Sequence, residues 1–413
     1  MGGVDFSTWI PGWSALAAVL LYGALILKQA AGVRRARDSF TTRVLITGSR
    51  GKSGTVRLIH AGLCSSGRSS YGKITGTRAV ELLPDGTEKA TVRFGSAGIS
   101  ELAQSMMRAE KARADFGIFE CMAISPERIH AVQAKYVKAR IVVIPTIRLD
   151  HLEDEGMSES EIGMNIFRAV DDCDYLVTGI DQPGLQTAYR QWCEAKGIEF
   201  VLAKPGPDTP RILGHHPTNV EVARQVLLLL GLSDEQACAG MRTASTEPNV
   251  LNFRSIPNPG GVALGLADIG AANDPQSAYE AMAQWPLEGE VVVPIVANRW
   301  DRPLRAVVFA GALIGRFAVV GVSGTLFRWI GNLTPAELSN ERRDYVNTEF
   351  FKLTHRLATD PDHLERTLVG LLGEPDQRRF VLMIMANTHD RHTDLLRKTF
   401  AARGVDMQLD YAD

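Results

Sequence analysis

Arg43-Val44-Leu45-Ile46-Thr47-Gly48-Ser49-Arg50-Gly51-Lys52-Ser53-Gly54-Thr55 is the stretch on which the fold turns. Arg43–Thr47 reads as a short buried strand, the glycines as a loop, and about Thr55 to Ser65 as a helix. A glycine loop between a strand and a helix is the setting a phosphate cradle needs. Glycine lets successive backbone N–H groups turn toward an anion, and the helix N-terminus adds its positive end. Gly48, Ser49, Arg50, Gly51, Lys52, Ser53, Gly54 and Thr55 are therefore read as ATP-binding. Lys52 would reach the β- and γ-phosphates, and Ser53 would hold Mg²⁺. The shorter GxxGK[ST] pattern is met. The longer GxxxxGK[ST] pattern is not, because Ile46 stands where its first glycine belongs. An incidental glycine turn is the bland alternative, and the strand–loop–helix context outweighs it.

Working outward, apolar runs at Phe116–Phe119, Ile141–Pro145, Tyr175–Thr178 and Phe200–Ala203 read as further strands. Helical patterns at Ser100–Arg113, Pro126–Tyr136 and Glu159–Val170 lie between them. Asn219–Leu230 reads as another helix, stopped at Gly231 before Ser233 caps the next. Alternating strands and helices give an α/β domain with a mostly parallel sheet. Ala244–Gly260 is rich in Pro, Asn and Ser, which places a boundary at about residue 250. Beyond it, Val262–Leu266, Val291–Ala297, Phe317–Val322 and Phe380–Ala386 read as strands of a second, smaller α/β domain.

Before the first strand, no charge falls between Asp5 and Lys28, and Ile10–Leu27 is almost wholly apolar. At about 1.5 Å per residue, 18 to 22 helical residues cross a hydrocarbon core of about 30 Å. Trp9 and Trp13 sit where an interfacial belt would be, and Arg34, Arg35 and Arg37 follow the run. The basic residues on the C-terminal flank predict an uncleaved single-pass anchor with the catalytic domains in the cytoplasm. A buried core helix is the alternative. The organisation expected is thus 1–38 anchor and basic flank, 39–250 ATP-binding domain and 251–413 second domain.

With 413 residues there is room for two or three domains, and 45% hydrophobic residues suffice for sizeable cores. A formal net charge of −2 gives no global sign of nucleic-acid binding. The five cysteines are scattered without CxxC spacing, which speaks against zinc or a disulfide framework and for reduced thiols.

Four more polar clusters stand at predicted strand ends, where α/β sheets place ligands. Glu120, after Phe119, is placed to hold Mg²⁺ or a bridging water; a solvated strand end is the rival reading. Cys121 beside it reads as a small core residue rather than a nucleophile. Asp150-His151 follows Ile141–Pro145 and offers a second metal position, though a lone His is more often structural. In the second domain, Ala271-Ala272-Asn273-Asp274-Pro275 and Asn298-Arg299-Trp300-Asp301-Arg302 are the candidates. Arg299 and Arg302 could pair with a phosphate, or with surface carboxylates.

These clusters, in this order, resemble the Mur ligase superfamily, which includes folylpolyglutamate synthase. Within it they are most similar to the ligase subunits of poly-γ-glutamate synthases (the PgsB/CapB type). Lys73-Ile74-Thr75-Gly76-Thr77, Glu120-Cys121-Met122-Ala123, Asp150-His151-Leu152, Ala271–Ser277 and Asn298–Arg305 carry the likeness beside the phosphate loop. The resemblance implies a P-loop central domain and a smaller Rossmann-like C-terminal domain. It implies ATP and Mg²⁺, with Lys52, Glu120 and His151 as the catalytic set. It implies Ser53, Thr75, Thr77, Glu120 and His151 around metal, and Asn273, Asp274, Arg299 and Arg302 against nucleotide or acyl phosphate. The substrates implied are glutamate and the growing polymer, and the partner a small integral-membrane synthase subunit (PgsC/CapC type). A homo-oligomer is compatible with it, and no nucleic acid is expected.

Many Mur ligases place a carboxylated lysine after the His, yet Glu153–Val170 holds no lysine. Glu153 or Asp154 would have to substitute, or the second metal is held differently. The phosphate loop begins within 50 residues, with an anchor ahead of it. That agrees with the poly-γ-glutamate subunit rather than a cell-wall precursor ligase. Two rival functions remain: the same chemistry on another acceptor, folylpolyglutamate-synthase-like, and a non-catalytic nucleotide-binding membrane scaffold.

Overall fold

The computed structural model describes residues 12–75, 79–92, 98–149, 156–212, 215–245, 252–258, 261–270, 272, 274–283, 290–297, 303–323, 348–373, 375, 379–387 and 390–406. The chain divides into two compact units, Met1–Ile147 with Glu153–Thr246, and Arg148–Leu152 with Glu247–Asp413.

The first unit opens with α1 (Gly12–Ser39), long and apolar enough to cross a bilayer. Its side chains are exposed through Leu16, Val19, Leu20, Leu21, Tyr22, Leu25, Ile26 and Leu27, whereas Val33 and Ala36 are buried. There follow β1 (Thr42–Ile46), α2 (Lys52–Ser65), β2 (Ser70–Ile74), β3 (Val80–Leu82), β4 (Glu88–Ala90), α3 (Ile99–Lys111) and β5 (Phe116–Glu120). Then come α4 (Pro126–Ala131), β6 (Ile141–Ile144), α5 (Glu159–Ala169), β7 (Tyr175–Thr178), α6 (Pro183–Lys196), β8 (Glu199–Leu202), α7 (Pro217–Leu229) and α8 (Asp234–Met241). One eight-stranded sheet orders them β4-β3-β2-β5-β1-β6-β7-β8, parallel except for the β3–β4 ribbon beside β2.

Sequence explains most of this. Val44, Ile46, Ile118, Val143 and Val177 are β-branched residues that meet Val56, Ile59 and Leu63 of α2 and Val222 and Val226 of α7 in one core. Gly231 at φ 84 stops α7, and Ser233 caps α8 in a full capping box with Gln236. Three local readings shift. Helix α2 begins at Lys52 rather than near Thr55, because Gly51 takes the left-handed N-cap and the Thr55 N–H already bonds its carbonyl at 2.9 Å. The helix read as Pro126–Tyr136 is α-helical only to Ala131 and continues as a π-turn, Val132–Val137, closed by Gln133, which hydrogen-bonds both the N–H and the carbonyl of Ala139. The β2–β4 segment, not anticipated as strands, is a two-faced ribbon. Ile74, Val80 and Leu82 join the α2 core. Lys73 and Glu81 meet α3 instead, where Ser105 and Arg108 hold the Glu81 carboxylate and Glu101 lies 3.9 Å from Lys73 Nζ.

The second unit carries β9 (Asn252–Ile256), β10 (Ala263–Asp268), α9 (Pro275–Ala283), β11 (Val291–Ala297), α10 (Pro303–Leu313), β12 (Val319–Ser323) and β13 (Glu349–Lys352). It ends with α11 (His355–Thr359), α12 (Pro361–Leu372), β14 (Arg379–Met385), α13 (Arg391–Arg403) and β15 (Val405–Asp406). The sheet order is β13-β12-β11-β14-β10-β9-β15. The strands from β13 to β10 are parallel, and β9 runs antiparallel to both its neighbours. An apolar cluster covers each face, one around Phe309 and Met383, the other around Leu364 and Phe380.

Candidate active site

The site of the first unit is assembled at the C-terminal edge of its sheet, where β1 and β5 end side by side. Their parallel register sets Ile46 opposite Glu120, so the residue that opens the phosphate loop and the carboxylate share one level. Gly48 at φ 109 and Gly51 at φ 81 turn the loop. Both positions are closed to a side chain. A Cβ at Gly48 would stand 3.0 Å from the Thr146 carbonyl, and one at Gly51 would stand 2.1 Å from Asn219 Oδ1. The loop is tied to β6 as well, since the Ser49 N–H donates to the Thr146 carbonyl at 3.1 Å.

Lys52 folds back over its own loop, its Nζ donating to the Gly48 carbonyl at 2.6 Å and the Ser49 carbonyl at 3.2 Å. Ser53 Oγ donates to Glu120 Oε2 at 3.0 Å, and the Thr75 backbone N–H donates to the same oxygen at 3.0 Å. Glu120 is 3% exposed. One buried carboxylate therefore gathers the ends of β2 and β5 and the first turn of α2. Oxygen donors of this type suit a hard cation such as Mg²⁺, and the inward-turned glycine loop suits phosphate.

Of the sequence candidates, Gly48, Ser49, Arg50, Gly51, Lys52, Ser53, Gly54, Thr55, Thr75 and Glu120 are brought to this edge. Thr75 reaches Glu120 through its backbone, which side-chain chemistry did not foretell. Thr77, His151, Asn273, Arg299 and Arg302 lie outside the described residues. Asp274 is 2% exposed, and its carboxylate takes the N–H of Ser277 at 2.9 Å and its hydroxyl at 2.6 Å, at the start of α9. Among the described residues there is no cluster of three or more His, Cys, Asp and Glu that could hold a metal. Cys121 is buried, and burial pushes its thiol up to about 11, so it is a core thiol and not an activated nucleophile.

Asn219 and His215 were not singled out from sequence. The Asn219 carboxamide leans on Gly51 and also lies 3.4 Å from where a Cβ of Gly54 would be, with His215 Nδ1 at 3.5 Å from the same point. Burial lowers the His215 pKa to about 4, so the ring beside the loop is neutral. An Asn in the first turn of a helix reads locally as a cap, which is why pattern alone missed it.

The C-terminal edge of the second unit's sheet is also polar. Arg397 pairs with Asp268 at 2.6 Å, and Asp268 also accepts the Gly270 N–H. Asn387 takes Arg305 Nη1 at 2.8 Å and donates to the Ala297 carbonyl at 2.5 Å. These bonds tie the ends of β11 and β14 together; the Asn298–Arg302 segment itself lies outside the described residues.

Comparison with known proteins agrees with this geometry. Residues 46–204 match the Mur ligase middle domain family, and residues 255–403 match the family described as poly-gamma-glutamate synthase CapB C-terminal domain. The chain is 28% identical over 293 residues to PGA synthase CapB of Bacillus subtilis (strain 168), spanning 67% of this chain and 72% of that protein. It is 25% identical over 327 residues to capsule biosynthesis protein CapB of Bacillus anthracis, spanning 76% and 69%. Among solved structures it is similar to MurF from Acinetobacter baumannii, with TM-score 0.60 and 13% identity over 91% of this chain and 80% of that one. E. coli FolC in complex with DHPP and ADP gives TM-score 0.57 and 15% identity over 91% and 92%. The bifunctional folylpolyglutamate synthase/dihydrofolate synthase from Yersinia pestis, complexed with AMPPNP and Mn ion, gives 0.54 and 15% over 91% and 92%.

Proposed function

We propose that this chain, which joins a Mur ligase middle domain to a CapB-type C-terminal domain, is an ATP-dependent amide ligase of poly-γ-glutamate synthesis. The observation that carries the reading is the joint seat of Lys52, Ser53 and Glu120 at the end of two adjacent parallel strands. The reaction transfers the γ-phosphoryl group of ATP to a carboxylate oxygen of glutamate or of the polymer, releasing ADP. The amine of the next glutamate attacks the acyl carbon, and the C–O bond to phosphate breaks. The products are an amide and inorganic phosphate, and the amine gives up its proton.

Such chemistry asks the protein for positioning and charge neutralisation. The loop N–H groups and the α2 terminus bind the phosphates. Lys52 exchanges its two loop carbonyls for the phosphoryl oxygens, a short movement of a flexible ammonium. Mg²⁺, when bound, would supply charge neutralisation between the phosphates, with Ser53 and Glu120 as its donors. Thr75, Thr77 and His151 are assigned to the surroundings of the metals by resemblance, and Asn273, Asp274, Arg299 and Arg302 to the nucleotide or acyl phosphate. For Asp274 this role competes with the bonds its carboxylate accepts from Ser277. No lysine lies in Glu153–Val170, so a second metal would need a carboxylate such as Glu153 or Asp154, or a different set of donors, and no second site is assigned.

Anchoring by α1 in the cell membrane, with both units cytoplasmic and a small integral-membrane synthase subunit as partner, belongs to the same reading. Its support is the exposed apolar length of α1 and the basic residues Arg34, Arg35 and Arg37 behind it. The experiment is oxygen transfer. Glutamate carrying ¹⁸O in its carboxylates should pass one ¹⁸O to inorganic phosphate for every amide formed. Amide formation with unlabelled phosphate would contradict the acyl-phosphate route.

A further inference from the structure

The direction of α1 says which way the first unit faces. The helix ends at Ser39 and the chain reverses through Phe40 and Thr41 into β1. The N–H groups of Thr41 and Thr42 both bond the Asp115 carbonyl, just before β5 begins, so the reversal sits at the N-terminal edge of the sheet. Arg43 clamps it there, donating to the carbonyls of Arg37 and Val137, each at 2.8 Å. Phe40 packs edge-on against Phe119, with ring centroids 5.7 Å apart.

Followed backward from this edge, α1 climbs alongside α3. A Cβ at Gly32 would meet Met107 Sδ at 2.7 Å. Met107 lies a turn inside the C-terminal end of α3, and α3 itself runs from the site-bearing edge down to the start of β5. The contact of Gly32 with Met107 above the Ser39 reversal therefore fixes the sense: α1 and α3 descend together, and the earlier residues of α1 point toward the site-bearing edge. From Ser39 back to Lys28 the helix rises about 16 Å at 1.5 Å per residue. The five residues of β1 span about the same length. Lys28, the charge that closes the apolar run, thus stands at about the level where β1 delivers the phosphate loop. No proline interrupts α1, and its packed residues Val33 and Ala36 begin within two turns of Leu27.

Resting on the reading of α1 as a membrane anchor, we infer that the first unit is held rigidly with its site-bearing sheet edge turned toward the bilayer. The lipid-facing surface is then the N-terminal ends of α3 and α4, near Ser100 and Glu127, both exposed. A site so oriented delivers its product at the membrane surface, where an integral-membrane partner can take it. The opposite orientation has its own attraction. Lys111, Arg113, Lys138 and Arg140 are exposed at the N-terminal edge and would suit anionic lipid. The continuous helix points away from them.

The full chain, reconstituted in vesicles containing a lipid with a photoactivatable headgroup, tests this by mass-spectrometric mapping of adducts. Flotation with the vesicles is scored separately. The inference expects flotation, with domain adducts concentrated on the peptides of Gly98–Glu101 and Pro126–Arg128. Flotation with adducts on Lys111–Asp115 or Lys138–Arg140 overturns the orientation while keeping the anchor. Adducts confined to α1 overturn the rigid mounting. Loss of flotation removes the anchor and the inference with it.

Discussion

Gly51→Ala isolates what the phosphate loop demands of its backbone. Gly51 holds φ 81 and ψ −4 as the cap of α2. A side chain in this region costs about 1–2 kcal/mol. The new Cβ would also stand 2.1 Å from Asn219 Oδ1 and 2.9 Å from its Cγ, so the carboxamide must swing away at a further cost of about 1 kcal/mol. The sum is about 2–3 kcal/mol of stability, read by urea unfolding of the purified chain. Binding of a fluorescent ATP analogue should fall as well, because relieving the strain turns the N–H groups from the phosphates. Adding Asn219→Ala removes the overlap but not the positive φ, so the double variant should regain about 1 kcal/mol and no more. A Gly51→Ala protein with unchanged stability and nucleotide affinity would refute the reasoning. Full recovery in the double variant would show that crowding, and not backbone conformation, excludes the side chain.

Lys73 is fully buried, donating to Thr91 Oγ1 at 2.6 Å with Glu101 at 3.9 Å. Lys73→Met removes the positive charge from that layer and should cost about 3–5 kcal/mol in urea unfolding, with Glu101→Gln added recovering more than half. Equal losses in the single and paired variants would contradict a charge-balanced layer. His60 is buried beside Ser70 Oγ at 3.1 Å, and burial lowers its pKa to about 4. The unfolded chain then binds the extra proton below about pH 6.5, so stability is lost as pH falls from there and levels off near 4. The loss from this ring is about 2 kcal/mol between pH 7.5 and pH 5, and His60→Gln should be flatter by that amount; parallel pH profiles would overturn the assignment.

The sequence made the phosphate loop and Glu120 legible because each rides at the end of a short apolar run. Such runs, Val44–Ile46, Ile141–Ile144 and Tyr175–Thr178, declare buried parallel strands without help from the rest of the chain. The β2–β4 ribbon stayed hidden for the opposite reason. Lys73 and Glu81 sit where a buried strand normally shows apolar residues, and distant partners make their burial tolerable: Thr91 and Glu101 for Lys73, Ser105 and Arg108 for Glu81. The Thr75 contact was invisible because it uses a backbone N–H, which no residue type announces. Asn219 reaches the loop from more than 160 residues along the chain, a neighbourhood only the fold creates. Asp274 was legible as a polar residue after a strand, but that its carboxylate accepts from Ser277 depends on where α9 begins, which pattern alone did not place.

The most direct test of the central claim is ADP release by membranes carrying this chain and any co-encoded small membrane protein. L-glutamate, D-glutamate and other amino acids are supplied singly, with Lys52→Ala as the control. The account predicts glutamate-dependent ADP release together with a high-mass amide product, both lost in Lys52→Ala. ADP release indifferent to glutamate, or polymer made equally well by Lys52→Ala, would contradict it.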